Sequence, residues 1–360
     1  MRTAWDEISK DRYFAAAILT AINAPLVVDR ISAPERLWQG QVLVRMLVSG
    51  ICGAQLQEIR GEKGNVDYMP HLIGHEGAGI VEAVGPGVTR VKAGDKVCCH
   101  WRKGAGIDAP PPSYGWENGT PKLVGAGQIT TLCEKAVISE NRLTPVPADT
   151  PDDLCALLGC GLSTALGTIE SEARVKFGES VLIVGAGGLG ANLIRCACMA
   201  NAHPIVAMDI NEHKAPMAYE LGADLYVNVK SENWRKVLKA AGTERFDVVI
   251  DTSGDGIEDA LPLLAPSGRF IMIGQPKPGR SVEMKCAAHM FEGEGKLLKA
   301  TQGGGFRPSV DIPRYVNLWR AGLLKIDGII TKRFSLAHVN EALDLVRAGQ
   351  ASRVLIDMSL

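Results

Sequence analysis

The sequence predicts an α/β protein in which a doubly wound parallel sheet is inserted into a β-rich unit. Residues 178–301 alternate short apolar strands with helical stretches, which is typical of a parallel sheet covered on both faces. Residues 13–150 contain short β-rich runs broken by glycine and proline. A chain of 360 residues is also long for one domain. We therefore expect a β-rich domain over 1–161 and 304–360 and a parallel-sheet domain over 162–303.

The individual elements follow from apolar periodicity and from the residues that break it. The β-rich region has the strand signals QVLVRMLVS, AGIVEAVG and EKAVIS. The middle region has the strand signals VLIVGA, PIVAMD, LYVNV, FDVVID and GRFIMIG, and between them the helix signals LGANLIRCACMA, EHKAPMAYELG, ENWRKVLKAAG and GIEDALPLLAPSG. After residue 303 come two helix signals, IPRYVNLWRAG and AHVNEALDLVRAG, and a last strand, RVLIDM.

Composition excludes several classes of function. The formal net charge is −1, which gives no global attraction to nucleic acid or to anionic membranes. The apolar runs are too short or too rich in glycine to span a bilayer, and the first twelve residues lack the apolar core of a signal peptide. The nine cysteines are scattered, so we expect reduced thiols, mostly buried, with one or two acting as metal ligands. A cytoplasmic protein is expected.

A glycine-rich turn predicts a dinucleotide site. In VLIVGAGGLG, Gly185 permits a tight turn after an apolar strand, Gly187 lets the backbone approach a pyrophosphate, and Gly190 lets the next helix pack closely. Gly188 and Leu189 lie where the helix begins, and backbone amides at a helix N-terminus bind phosphate. A turn that packs without any ligand is the alternative, because this spacing alone is weak.

The end of the following strand supports the dinucleotide interpretation. Asp209 ends PIVAMD, where a carboxylate accepts hydrogen bonds from the adenosine ribose hydroxyls. The same carboxylate repels a 2′-phosphate. The predicted cofactor is therefore NAD rather than NADP.

Three further stretches carry residues that bind zinc. Cys52 lies in GICG, His75 and Glu76 lie in GHEGAG, and Cys160 lies in GCGLSTALGT. Two thiolates and one imidazole form a zinc site with an open position for water or substrate. Each residue alone could be inert, and sequence separation does not show that they meet in space.

Together these motifs, with VTRVKAGDKV, MDIN and the tail LVRAGQASRVLI, resemble the zinc-dependent alcohol dehydrogenases of the medium-chain dehydrogenase/reductase superfamily. The resemblance runs from about residue 13 to the C-terminus. It implies a GroES-like catalytic domain and a Rossmann domain. It also implies that Cys52, His75 and Cys160 bind one catalytic zinc and that Glu76 is a transient ligand.

The resemblance assigns further roles around the cofactor and the substrate. It places Arg353 near the cofactor pyrophosphate and Glu76, Thr164 near the nicotinamide, and Lys214 near the adenine ribose. Trp101 would form an aromatic wall of the substrate pocket. Members of this family are usually homodimers or homotetramers, and no nucleic acid or membrane partner is implied.

The chain departs from the family pattern in three places. Residues 100–131 contain no cysteine, so the four-cysteine structural zinc site is not expected. Ala54 stands where relatives have a serine or threonine hydroxyl that relays the proton. Gln55 and Gln57 stand where an aspartate and often a histidine would be.

The expected function is a zinc-dependent transfer of hydride between an alcohol and NAD. A zinc-free, NADPH-dependent quinone or enone reductase is an alternative, although the complete ligand set and Asp209 argue against it. A non-catalytic NAD sensor is another alternative, which only the missing hydroxyl favours.

The missing hydroxyl at Ala54 leaves three routes for the alcohol proton. Ordered water could reach Gln57, the ring of His100 beside Trp101 could act as an acid–base group, or the substrate could supply a polar group. We favour the third, which predicts a polyol or sugar-like substrate. Arg102 and Lys103 could meet a phosphate or carboxylate, although exposed basic residues commonly serve solubility alone.

Overall fold

A computed structural model describes residues 12–360 except for six positions, which are 65, 277, 278, 280, 282 and 294. The chain divides into two compact units. Unit 1 contains the chain up to Cys160 together with Arg307–Lys325 and Ile330–Leu360. Unit 2 contains Gly161–Phe306 and Ile326–Ile329.

The strands are numbered in chain order. They are β1 Tyr13–Leu19, β2 Val27–Ser32, β3 Gln41–Ile51, β4 His71–Leu72, β5 Glu76–Val84, β6 Lys96–His100, β7 Ser113–Gly115, β8 Leu123–Gly125, β9 Lys135–Ser139, β10 Leu143–Pro145, β11 Val181–Val184, β12 Ile205–Asp209, β13 Leu225–Asn228, β14 Phe246–Asp251, β15 Leu264–Met272, β16 Leu297–Ala300, β17 Ile330–Phe334 and β18 Arg353–Asp357.

The α-helices are numbered in the same way. They are α1 Gly53–Ile59, α2 Asp152–Leu158, α3 Gly161–Gly167, α4 Gly188–Met199, α5 Ala215–Leu221, α6 Trp234–Ala240, α7 Ile257–Ala260, α8 Pro308–Arg320 and α9 Val339–Arg347. In the described residues, no single helix is long and apolar enough to cross a membrane, although the bent pair Asp152–Leu158 and Gly161–Glu172 together has the length and composition.

Unit 1 is built on a closed barrel and a mixed sheet. The barrel has the order β1-β2-β7-β8-β4, and the sheet has the order β10-β6-β5-β3-β18-β17, with β9 also paired to β3. Strand β3 is the centre of the sheet because it pairs along its length with β5, β9 and β18. Its register places Val354 of β18 opposite Ile51, so the first residue of β18 lies beside the end of β3. Helices α1 and α9 share an apolar core beneath this end.

Unit 2 is a parallel sheet with the strand order β13-β12-β11-β14-β15-β16. In chain order, β11, β12 and β13 are added toward one edge of the sheet, and β14, β15 and β16 are added toward the other edge. This is the strand order of a doubly wound dinucleotide-binding fold. All five pairings are parallel. The predicted fold class is therefore confirmed.

One predicted helix is much shorter than the pattern suggested. The stretch GIEDALPLLAPSG was expected to be helical, but α7 ends at Ala260 and β15 already begins at Leu264. Pro262 has no backbone N–H to continue a helix, and it lies in a short 3₁₀ turn between the two elements. Leu264 instead pairs with Phe246 of β14.

The buried carboxylate of Glu140 joins two loops of unit 1. Its Oε1 accepts hydrogen bonds from the backbone N–H of Thr89 at 2.6 Å and of Arg90 at 2.7 Å, and its Oε2 accepts one from Ile107 N–H at 2.7 Å. Burial raises the pKa of this carboxyl, but the backbone donors outweigh burial and leave the pKa below its usual value. The ionised form is therefore the one that stabilises the fold.

We expect Glu140→Gln to lower the free energy of unfolding by about 2 kcal/mol near pH 7, because the backbone N–H donors lose their charged acceptor. The exposed Glu341→Gln variant is the control and should change stability little. Because the pKa of Glu140 is lower in the folded state, its carboxylate stabilises the fold at pH values above its pKa in the unfolded chain. This stabilisation is lost as the pH falls. The difference should therefore shrink below about pH 4 in denaturant titrations. Equal stabilities of Glu140→Gln and wild type at pH 7 would contradict this role.

Candidate active site

Cys52 lies at the N-terminus of α1 and is positioned by its neighbour Gln55. Cys52 is the N-cap residue and has an extended backbone, with φ −114° and ψ 154°. The Gln55 side-chain oxygen accepts the Cys52 backbone N–H at 2.5 Å, and the carboxamide nitrogen reaches the carbonyl of Gly50 at 3.5 Å. Gln55 is fully buried, so this capping box fixes the cysteine in one orientation.

His75 lies in the connection between β4 and β5, where a glycine is required. Gly74 has φ +105°, which is a left-handed conformation that favours glycine. A Cβ atom at Gly74 would also lie 2.6 Å from Thr131 Oγ1 and 2.8 Å from the backbone nitrogen of Leu132. The chain therefore turns tightly here and delivers His75 directly before Glu76, the first residue of β5.

Cys160 follows α2, which packs against the same sheet. Gly159 is the C-cap of this helix. Its missing side chain permits close contact, because a Cβ atom there would lie 2.8 Å from the Glu76 Cβ and 2.3 Å from the Cys99 carbonyl oxygen. This approach brings Cys160 to the start of β5. Two of the three predicted ligands thus depend on glycines that let backbone segments meet.

The structure brings the three predicted ligands together. The ligand atoms of Cys52, His75 and Cys160 all lie within 4.8 Å of one another. Two sulfurs and one imidazole nitrogen are the donors that zinc prefers, and three protein ligands leave the fourth tetrahedral position for a small molecule. The residues present therefore fit a catalytic zinc ion.

Glu76 does not join this group and instead pairs with Arg353. Its Oε2 accepts a hydrogen bond from Arg353 Nη2 at 2.5 Å, and both side chains are almost completely buried. Arg353 Nη1 also donates to the carbonyl of Ile51 at 3.3 Å. Burial lowers the pKa of Arg353, but the negative charges of Glu76, Cys52 and Cys160 outweigh burial and raise it. The guanidinium remains charged and balances the acidic groups around it.

The protonation of the three ligands is coupled. The pKa of Cys52 is well below its usual value, chiefly because the Cys160 thiol donates a hydrogen bond to it. The hydrogen bond and charge of His75 and the charge of Arg353 lower it further. The pKa of Cys160 is well above its usual value, because its thiol proton is held by Cys52 and because the group is buried. Burial lowers the pKa of His75, but its bond to Cys52 and that residue's charge leave the pKa raised. A metal ion must displace protons from this group.

In unit 2 the glycine turn has the geometry that the motif predicts. Gly185 has φ +92°, and a Cβ atom on Gly190 would lie 1.9 Å from the Gly185 carbonyl oxygen. Gly187 is the N-cap of α4, and a Cβ atom there would meet no atom within 4 Å, so the backbone is open to a ligand. Gly188 and Leu189 form the first turn of α4. These features fit a dinucleotide pyrophosphate.

Asp209 ties this turn to the end of β12. Its Oδ2 accepts the Ala186 backbone N–H at 2.8 Å and Lys214 Nζ at 2.9 Å, and its Oδ1 accepts the Asn211 backbone N–H at 3.0 Å. Lys214 is thus beside the predicted ribose acceptor.

Thr164 is buried in α3, where its carbonyl accepts the Thr168 hydroxyl at 2.7 Å.

Comparison with known families identifies the chain. The zinc-binding dehydrogenase family matches residues 188–308, and the alcohol dehydrogenase GroES-like domain family matches residues 38–148, together more than half of the chain. The chain belongs to the zinc-type alcohol dehydrogenases of the medium-chain dehydrogenase/reductase superfamily.

Relatives of this alcohol dehydrogenase align over nearly its whole length. It is 29% identical over 370 residues to the NDMA-dependent alcohol dehydrogenase of Amycolatopsis methanolica, with 95% of this chain and 98% of the relative covered. It is 28% identical to the S-(hydroxymethyl)glutathione dehydrogenase of Paracoccus denitrificans, with the same coverage.

Solved structures show the same fold. The benzyl alcohol dehydrogenase of Acinetobacter calcoaceticus matches with a TM-score of 0.84 at 23% identity, and the match covers 96% of this chain and 99% of that one. An alcohol dehydrogenase zinc-binding domain protein of Burkholderia ambifaria matches with a TM-score of 0.85 at 24% identity and the same coverage.

His100 has a packing role rather than the acid–base role suggested for it. It is fully buried, with Nδ1 2.7 Å from the Arg102 carbonyl oxygen and Nε2 2.9 Å from Thr144 Oγ1. Burial lowers the pKa of His100 to about 4, although the bond to Arg102 opposes this. The neutral ring donates from Nδ1 and accepts at Nε2, so neither nitrogen is left to exchange a substrate proton.

Trp101 is half-buried and its backbone is fixed close to Cys160. Its N–H donates to the Gly159 carbonyl at 3.4 Å, and its carbonyl accepts a hydrogen bond from Arg142. Lys103 pairs with Asp108 at 2.6 Å, which neutralises one of the two basic residues considered as an anion site.

Sequence reasoning missed two features near the metal ligands. Gln55 was noted only as the replacement of an acidic residue, although the spacing from Cys52 is that of a capping box. The pair formed by Glu58 and His71, with Oε1 and Nε2 3.3 Å apart, was not recognised. Ala54 and Glu58 are four residues apart, and this spacing could have indicated that the Glu58 carboxylate lies on the same helix face as Ala54.

We expect the purified enzyme to contain one zinc per chain, held by Cys52, His75 and Cys160. Cys160→Ala should lower zinc affinity by at least about 100-fold because one of three ligands is lost. Cys155→Ala is the matched control, since this cysteine is buried in α2 outside the ligand group, and it should retain zinc.

Zinc affinity should also rise with pH. The pKa values of His75 and Cys160 are raised, so protons compete with the metal near neutrality. Competition with a chelator and elemental analysis measure both effects. Two tightly held zinc ions per chain, or full zinc retention by Cys160→Ala, would show that this ligand assignment is wrong.

Proposed function

We propose that this alcohol dehydrogenase oxidises polar, polyol-type alcohols with NAD through one zinc ion. The convergence of Cys52, His75 and Cys160 carries this proposal. Two curated relatives are named as dehydrogenases of alcohol-type substrates, which supports the same chemistry. No observation favours a zinc-free reductase or a non-catalytic sensor.

The residues of the site would each contribute to this reaction. When bound, zinc acts as a Lewis acid that lowers the pKa of an alcohol oxygen, and NAD accepts the hydride. Cys52, His75 and Cys160 would hold the metal and leave one position open. Arg353 balances the buried negative charge of both thiolates and of Glu76. In a largely buried site these charges interact strongly because little water screens them.

The side chains around Asp209 support NAD as the cofactor. The carboxylate is held in place by Ala186 and Asn211, and a second anion there would be repelled. The charge of Lys214 offsets this repulsion only in part, because its ammonium group already pairs with Asp209 at 2.9 Å. Gly188 and Leu189 would present backbone amides of the α4 N-terminus to the phosphates.

We expect kcat/KM with NAD to exceed that with NADP clearly. Asp209→Asn removes the negative charge but keeps an acceptor, and should reduce this preference by about tenfold. Asp259→Asn, at an exposed site of α7, is the control and should leave the ratio unchanged. Steady-state kinetics with both cofactors measure it. If Asp209→Asn had the same ratio of kcat/KM with NAD to kcat/KM with NADP as wild type, Asp209 would not be the residue that selects the cofactor.

The environment of Ala54 supports a polar substrate. Neither Ala54 nor Gln57 can exchange a proton, and both nitrogens of His100 are engaged elsewhere. A second hydroxyl on the substrate could bridge the gap that the missing side-chain hydroxyl leaves. A polyol, cyclitol or sugar derivative has such a hydroxyl next to the reacting one.

We expect vicinal diols and cyclitols to have higher kcat/KM values than unbranched monoalcohols. NAD reduction by the zinc-loaded enzyme, measured with matched pairs such as 1,2-hexanediol and 1-hexanol, tests this. If ethanol or hexanol matched every polyol, the polar-substrate proposal would be wrong, although alcohol oxidation itself would stand.

We also propose that the enzyme is a homodimer or homotetramer. In the described strands, β16 pairs only with β15, so it forms an open edge of the unit 2 sheet. Leu297 on this edge is exposed, and an open edge strand with an apolar side chain is a surface for pairing with a second copy. Sedimentation of the purified protein would measure the assembly.

A cytoplasmic location is the remaining part of the proposal. All nine cysteines, which lie within the described residues, are free thiols. A reducing compartment would keep Cys52 and Cys160 available as metal ligands. Fractionation of cells that produce the protein would test the location.

A further inference from the structure

Helix α1 places a carboxylate on the face where the relay hydroxyl is missing. Ala54 and Glu58 are four residues apart in α1, so they lie on one face with Cβ atoms about 5–6 Å apart. Helical side chains lean toward the N-terminus of their helix, so Glu58 extends over the turn that contains Ala54. Cys52 is the N-cap of that same turn. Alanine leaves room there that a larger side chain would fill.

The place of Glu58 on α1 puts it on the helix face that carries Ala54, in the helix that Cys52 caps. The negative charge of Glu58 is also the smallest of the influences that raise the pKa of His75. Glu58 lies six residues from Cys52 in sequence and is not itself in the ligand group. Its carboxylate is therefore a basic group on this face of α1 that lies outside the ligand group.

His71 holds Glu58 and connects it to the interior. His71 begins β4, and its Nε2 lies 3.3 Å from Glu58 Oε1. The side chain of His71 is only 8% exposed, whereas that of Glu58 is 25% exposed. The buried His71 Nδ1 has no hydrogen-bond partner in the described part of the protein. The pair thus extends from a buried polar atom, His71 Nδ1, to a partly exposed carboxylate.

The charged groups of α9 and of the end of α1 are exposed or paired. Helix α9 contacts α1 through the apolar cluster that includes Leu56 and Ile59, and its charged residues Glu341, Asp344 and Arg347 are exposed. At the end of α1, the Arg60 guanidinium pairs with Glu62 at 2.8 Å. Of the titratable groups around Glu58, His71 from β4 lies within ion-pair distance of it, and the pKa of His75 in the loop after β4 is influenced by its charge.

We propose that Glu58, positioned by His71, is the proton acceptor that replaces the missing hydroxyl relay. This inference rests on the proposed alcohol oxidation. The alcohol carbon loses a hydride, which carries two electrons to NAD, and the alcohol oxygen loses a proton. That proton passes through the neighbouring substrate hydroxyl and a water molecule to the Glu58 carboxylate, and the neutral carboxyl releases it to solvent. In the reverse direction Glu58 supplies the proton.

The first test uses Glu58→Gln, which keeps the shape and removes the base. We expect zinc content and NAD affinity to equal those of wild type. At pH 7 with a diol substrate, kcat should fall by about 10–100-fold, and it should recover partly as the concentration of a small buffer base such as formate is raised. Glu62→Gln, four residues further along the chain and beyond the end of α1, is the matched control and should keep the wild-type rate and show no buffer response.

The second test does not depend on turnover. Glu58→Gln replaces the carboxylate that contacts His71 Nε2, so the NMR chemical shifts of the His71 ring should change in Glu58→Gln and not in Glu62→Gln. His71→Asn should lower kcat less than Glu58→Gln, because it loosens the acceptor without removing it. A shift of His71 together with buffer rescue supports the proposal.

Two outcomes would overturn it, and they are distinguishable. If the wild type oxidises diols and Glu58→Gln keeps its rate and pH profile without buffer dependence, the relay is wrong and the proposed function stands. If zinc-loaded wild type oxidises no alcohol with NAD, both proposals fall.

Discussion

The balance of buried charge around Arg353 is the constraint on which the site depends. Glu76 and the two cysteine ligands concentrate negative charge where the protein excludes water, and an uncompensated charge there would be costly. Arg353 meets this demand by pairing with Glu76 at 2.5 Å while its charge also acts on Cys52 and Cys160. A bound divalent cation would complete the neutralisation. Removing Arg353 alone would leave Glu76 buried without its partner.

The surrounding chain is arranged to make this balance possible. The register of β3 and β18 sets Val354 against Ile51, which brings Arg353 beside Cys52. A Cβ atom at Gly50 would lie 2.7 Å from Glu76 Oε1, so a side chain there would push the carboxylate from the guanidinium. Such close packing holds the ligands in place before the metal arrives, and preorganised ligands bind metal without a large ordering cost.

The sequence predicts the fold class well because periodicity and glycine spacing are local signals. The same locality explains what it misses. Motifs could name Cys52, His75 and Cys160 through a family resemblance, but only the fold shows that their ligand atoms meet. His100 looked available because it adjoins Trp101, which the resemblance places in the substrate pocket. Its hydrogen-bond partner Thr144, however, is 44 residues away in the sequence. The contact between Glu58 and His71 joins a helix to a barrel strand, and no pattern in either segment encodes it.

X-ray absorption at the zinc edge of the purified enzyme tests the central claim most directly. The account predicts a metal with two sulfur ligands at about 2.3 Å, one imidazole nitrogen at about 2.0 Å and one light-atom ligand that changes when an alcohol is added. A zinc ion bound by oxygen and nitrogen alone, or one bound by four sulfurs and indifferent to alcohol, would contradict it.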